Sequence, residues 1–149
     1  MTEQRIITSS PNATQTLAEQ LAAQLCPGSV VRLDGVLGAG KTCFVQGLAR
    51  GLGVAPETRV HSPTFTLLNI YHGRLPLYHF DWYRVQHAQE LAGLDLEEYF
   101  YGAGVVVVEW GEKFPQVFPA EIIQIRLSVL TASKREIILP APFCLTRNS

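Results

Sequence analysis

The chain has 149 residues, of which 47% are hydrophobic and 17% charged, with a formal net charge of −1. That apolar content fills one ordinary single-domain core and excludes a disordered chain. The near-neutral balance argues against a protein that holds tRNA or DNA alone, and no segment has the length of a bilayer span or the pattern of a signal peptide.

Ser10 followed by Pro11 reads as a helix N-cap with proline at the first helical position. Leu17, Leu21 and Leu25 recur at helical spacing, and Cys26-Pro27-Gly28 stops that helix. Val30 to Leu33 reads as a buried strand, broken only by Arg32. A glycine loop follows, then a helix from about Lys41 to Leu52. Val60 to Thr66 is expected to be extended, interrupted at Pro63. Leu67 to Tyr71 and Leu75 to Tyr83 read as two strands around His72-Gly73. Ala88 to Phe100 reads as a helix with Gly93 as its weak point. Val105 to Val108 is the most β-prone stretch and ends in Glu109. Ile122 to Leu130 and Glu136 to Leu139 form a last strand pair around Ala132-Ser133-Lys134. Early alternation of strands and helices, with hairpins later, predicts a single α/β domain with a mixed sheet.

Gly35-Val36-Leu37-Gly38-Ala39-Gly40-Lys41-Thr42 matches the phosphate-loop pattern at every fixed position. Ordinary residue usage produces such a match in roughly one chain of this size in two hundred. A buried strand enters the loop and a helix leaves it, as the chemistry requires. Glycines let successive N–H groups curl toward phosphate oxygens, and the helix N-terminus favours an anion. Lys41 is expected to bridge the β and γ phosphates, and the Thr42 hydroxyl to ligate Mg²⁺. The plain alternative is a glycine-rich strand-to-helix turn.

A magnesium nucleotide site needs an acid at the end of a buried strand beside the loop. Asp81 and Glu109 both fit, each a lone acid after an apolar run. One would hold Mg²⁺ directly or through water, and the other would orient the attacking water. The alternatives are an ion pair between Asp81 and Arg84, and a solvated strand end at Glu109.

Three more segments follow the Gly-Ala-Gly-Lys-Thr run. They are His61-Ser62-Pro63-Thr64-Phe65-Thr66-Leu67, His79-Phe80-Asp81-Trp82-Tyr83-Arg84 and Glu109-Trp110. In that order the four motifs closely resemble the bacterial TsaE (YjeE) family, the small ATPase of tRNA threonylcarbamoyladenosine synthesis. The likeness runs from about Thr8 to Glu112. It implies a P-loop NTPase-like three-layer fold, with a central mixed, mainly parallel sheet, β-hairpin additions and no lid domain. It implies slow, Mg²⁺-dependent ATP hydrolysis in the cytoplasm, and a complex with TsaB and TsaD through which tRNA is met indirectly. By the same resemblance Gly38, Ala39, Gly40, Lys41, Thr42 and Cys43 bind the triphosphate. Thr42 and Glu109 stand on the magnesium side, with Asp81 close by. Ser62-Pro63-Thr64 is a switch segment answering to the γ-phosphate, or else a simple turn. Trp110 lies beside the nucleotide or packs as a core aromatic. Thr8 and Arg135 are candidates for contacts to base or sugar. Val36 stands where the family usually has aspartate, Cys43 where it has threonine, and Gly111 where proline is frequent.

Cys26, Cys43 and Cys144 have no metal-site spacing and an odd count, so they read as reduced thiols. His72 and His87 read as exposed turn residues and His79 as a packed one with its ring N–H satisfied. A small-molecule kinase is disfavoured because no arginine-rich lid insert is present, and a GTPase because there is no Asn-Lys-x-Asp segment. A nucleotide-gated binding module remains the rival from another class.

Overall fold

The structure, a computed structural model, describes residues 2–141, 143 and 145, so Cys144 lies outside the described residues. Seven strands form one sheet: β1 (Glu3–Thr8), β2 (Val30–Asp34), β3 (Leu68–Tyr71), β4 (Leu77–Asp81), β5 (Val105–Glu109), β6 (Ile123–Val129) and β7 (Arg135–Pro140). Their order is β1-β7-β6-β2-β5-β4-β3. The central strands β6, β2, β5 and β4 pair in parallel, and antiparallel partners close both flanks. The expected mixed sheet with hairpin additions is what forms.

Alternation along the strands divides the core into two layers. Val31, Leu33, Val105 and Val107 face α1 (Pro11–Ala22) and α2 (Lys41–Gly51). Val30, Phe80, Val106 and Val108 face an aromatic cluster with Trp82, Phe100 and Phe114. That second layer is built from a 3-10 helix at Ala88–Leu94, the short helix α3 (Leu96–Phe100) and two 3-10 turns. Both faces of β5 are buried, which explains its unbroken valine run.

The Ser10 cap forms as expected, its hydroxyl accepting from Ala13 N–H at 3.0 Å. The α1–α2 contact depends on small residues. A Cβ at Gly47 would lie 2.8 Å from the Ala18 methyl, and one at Gly51 would lie 2.6 Å from the Ala22 methyl. The two backbones therefore approach closely, and α2 is held against the sheet with its N-terminus at the strand ends.

Two expectations change, and one strand is new. Glu3–Thr8 is a strand, because it completes its hydrogen bonds on β7 along a sheet edge that local pattern does not reveal. Val60 to Thr66 is not a strand, since residues 64–66 form a turn and Leu67 takes φ 70°. The helix expected over Ala88 to Phe100 breaks at Asp95 (φ 51°) rather than at Gly93, and its first half is 3-10. None of the described helices is long and apolar enough to cross a membrane.

Candidate functional site

The loop after β2 opens at the carboxyl ends of the parallel strands, where β4 and β5 also end. Gly38 (φ 82°) and Gly40 (φ 102°) take left-handed backbone that L side chains resist. Gly40 is also the residue from which α2 starts. Lys41 is only 5% exposed, and its Nζ donates to the Gly35 carbonyl at 2.6 Å. The ammonium also lies 3.5 Å from the centroid of the Trp110 ring, with Trp110 itself at φ 63°. Burial pushes the Lys41 pKa down, opposed by Glu109, Glu112, Asp81 and Asp34. An anion brought into the loop would meet a cation already desolvated and aimed.

Asp81 and Glu109 are register partners across β4 and β5, and Glu109 is also the register partner of Leu33 on β2. Period-two alternation turns both acids to the α2 face. They are 2% and 3% exposed, so neither is a solvated strand end. Asp81 Oδ2 accepts from Thr64 Oγ1 at 3.0 Å, and Oδ1 accepts from Tyr83 N–H at 2.8 Å. The alternative pairing with Arg84 is not made; that guanidinium lies 4.6 Å from the Phe65 ring centroid. Glu109 Oε2 accepts from Ser62 Oγ at 2.7 Å and from His79 Nε2 at 2.6 Å. Ser62 also hydrogen-bonds Thr42 Oγ1. Thr42, Ser62, Glu109 and His79 thus form one continuous chain. Burial, the largest single influence, pushes the Glu109 pKa up. His79, Ser62 and Lys41 together outweigh it and hold the carboxyl below the ordinary range.

Lys41, Thr42, Ser62, Thr64, Asp81 and Glu109 line one cleft of about 420 Å³ with Leu37, Gly38, Tyr83 and Trp110. A smaller hollow of about 220 Å³ lies on the other side of Gly40 and Cys43, walled by Pro11, Thr14, Ser133 and Arg135. Arg135 reaches the loop, donating to the Gly38 carbonyl at 3.3 Å. Thr8 is 1% exposed and its hydroxyl is bonded to Thr14 at 2.7 Å, so it stands behind the hollow. Cys43 donates its thiol to the Pro11 carbonyl at 3.3 Å, and burial raises its pKa. Its side chain is turned away, leaving the backbone as the group offered to a phosphate. Ala39 is fully buried under the loop.

The donors gathered at Thr42, Ser62, Asp81 and Glu109 are all oxygens, the chemistry a hard divalent cation such as Mg²⁺ requires. The residues present fit that ion. Two groups escaped sequence reasoning. Glu112 accepts from the Gly35 N–H at 3.3 Å and so braces the loop's entrance. His79 reads in sequence as a packed residue, yet it shares the α2 face with Asp81, and that two-residue spacing is the signal that reveals it.

Fold and site together define an α/β protein with a mixed seven-stranded sheet, a strand–glycine loop–helix at the sheet's carboxyl edge and two acids beside it. A family profile described as "Threonylcarbamoyl adenosine biosynthesis protein TsaE" matches residues 8–137, and the chain belongs to the TsaE family. The Treponema pallidum protein named tRNA threonylcarbamoyladenosine biosynthesis protein TsaE is 46% identical over 133 residues, covering 89% of this chain and 97% of that one. The protein of the same name from Bacillus subtilis is 46% identical over 136 residues, covering 90% and 83%. The crystal structure of Bacillus subtilis YdiB superposes with a TM-score of 0.78 at 39% identity, covering 93% of this chain and 84% of that one.

Proposed function

We propose that this protein binds ATP with magnesium at the Gly35–Thr42 loop and hydrolyses it slowly, as the accessory ATPase of tRNA threonylcarbamoyladenosine synthesis. The observation that carries this reading is the convergence of Lys41, Thr42, Asp81 and Glu109 on one cleft in a TsaE-family chain. Magnesium, when bound, supplies positive charge against the phosphates. The chain supplies position. Backbone N–H groups of Gly38 to Cys43 receive the phosphates at the start of α2. Lys41 exchanges the Gly35 carbonyl and the Trp110 face for phosphate oxygens. Thr42 and Glu109 stand on the metal side, and Asp81 orients water or the metal's outer sphere. Arg135 and the hollow beside it are placed for base or sugar, with Thr8 behind.

Ser62 and Thr64 each hold one of the two acids, so occupation of the cleft rearranges the 61–67 segment. That segment is the natural route from nucleotide state to a partner. The partners proposed are TsaB and TsaD in the cytoplasm, with tRNA met through them. The deciding experiment is ATP turnover by the purified chain, alone and with the TsaB–TsaD pair, together with multiple-turnover tRNA modification by Glu109→Ala. The expected result is slow turnover that changes when the pair is added, and a variant that binds ATP but stalls modification. Undiminished modification by a hydrolysis-dead Glu109→Ala would leave a nucleotide-gated binding module instead.

A further inference from the structure

His79 is fully buried at the middle of β4, between register partners Asn69 on β3 and Val107 on β5. An aliphatic side chain would satisfy a position of that kind on packing grounds alone. The imidazole instead places Nε2 2.6 Å from Glu109 Oε2, while its Nδ1 is buried with no partner among the described residues. An unpaired ring nitrogen in the core costs free energy, so the residue is not explained by core stability. Glu109 accepts two hydrogen bonds on Oε2 and none on Oε1 among the described residues. One oxygen is tethered, and the other has no hydrogen bond among the described residues, on a side chain that lines the cleft.

We propose that His79 is a positioning residue that fixes the Glu109 carboxylate for a divalent cation, and so sets the protein's affinity for magnesium rather than for the nucleotide itself. The inference rests on the reading of the cleft as a magnesium nucleotide site. The ionised carboxylate is acceptor-only, so Nε2 carries the proton and donates it. Of the two donors to Oε2, Ser62 lies in the 61–67 segment between α2 and β3, outside the sheet, whereas His79 is a sheet residue. When Ser62 exchanges partners during the nucleotide cycle, His79 is the tether that stays. Without it, the Glu109 side chain regains rotamer freedom and must be ordered each time the metal arrives.

The test is binding of a fluorescent ATP analogue to the full chain, measured with EDTA and over a magnesium titration. Wild type, His79→Leu and His79→Gln are compared, with thermal unfolding as a folding control. Gln offers an amide donor near the position of Nε2. His79→Leu is expected to keep metal-free nucleotide affinity within about twofold while its half-saturating magnesium concentration rises about tenfold. His79→Gln is expected to recover most of that loss. Unchanged magnesium dependence in His79→Leu, or equal losses with and without metal, would overturn the proposal and leave a packed core residue. Wild-type binding that ignores magnesium would overturn the site reading itself, and this proposal with it. An independent check that leaves His79 in place uses proton NMR of the imidazole. A slowly exchanging downfield Nε2–H resonance is expected in wild type and lost in Glu109→Gln, whereas its absence from wild type would overturn the tether.

Discussion

Lys41 is hydrogen-bonded to a carbonyl and lies on an aromatic face rather than being bonded to a carboxylate, and the nearby acids offset its burial only in part until an anion arrives. Lys41→Met is therefore expected to leave the free protein at least as stable as wild type, with a melting temperature unchanged or higher. The same variant should lose the melting-temperature increase that Mg·ATP gives the wild type, measured by thermal shift. Glu109 has the opposite sense. Its folded pKa lies below its unfolded value, so it contributes stability in full above the ordinary glutamate pKa. That contribution is lost as pH falls through the unfolded and then the folded pKa. Denaturant unfolding measured from pH 7 down to pH 3 should show a shallower acid decline in Glu109→Gln than in wild type.

At the scale of elements, the site depends on how closely α2 can lie on α1. Gly47 meets the Gln15 carbonyl and the Ala18 methyl, so a side chain there forces the helices apart. Gly47→Ala gains helix propensity but overpacks this contact, and a net loss of about 1–3 kcal/mol is expected in urea unfolding. Nucleotide affinity should fall with it, because α2 carries Lys41 and Thr42 at its first turn. A second device ties β4 to β5 beyond their last paired residues. Lys113 Nζ donates to the carbonyls of Trp82, Tyr83 and Val85 at 3.1, 2.9 and 2.5 Å. It closes the turn after Asp81 against the segment after Glu109, so the two acids emerge from a braced edge.

At the scale of the whole molecule, the first and last strands meet beside the loop, where Thr8 pairs with Arg135. β1 and β7 pair along their length, and β7 begins at Arg135, which reaches Gly38. That contact is exposed and contributes little to folding. Arg135→Ala is expected to change the melting temperature little while weakening binding of a fluorescent ATP analogue severalfold. Equal binding by the variant would remove Arg135 from the nucleotide's surroundings. The polar centre is otherwise enclosed by a sheet whose two faces are covered unequally, by a helix pair on one side and an aromatic cluster on the other.

The order of motifs in the chain determined the glycine loop, its strand and helix, the two strand-end acids and the family. Each depends on local chemistry: glycine where φ is positive, lysine and threonine at the helix start, and an acid ending an apolar run. The β1 strand was not legible, because an edge strand is stabilised by a partner more than a hundred residues away. Nor was the break at Asp95, where packing of the aromatic layer overrides helix propensity. Only the tertiary structure decided that Asp81 pairs with Thr64 and not Arg84, and that His79 holds Glu109. The first is made between β4 and the turn at residues 64–66, and the second between β4 and β5, where register and the pleat, not spacing along the chain, determine which polar atoms meet.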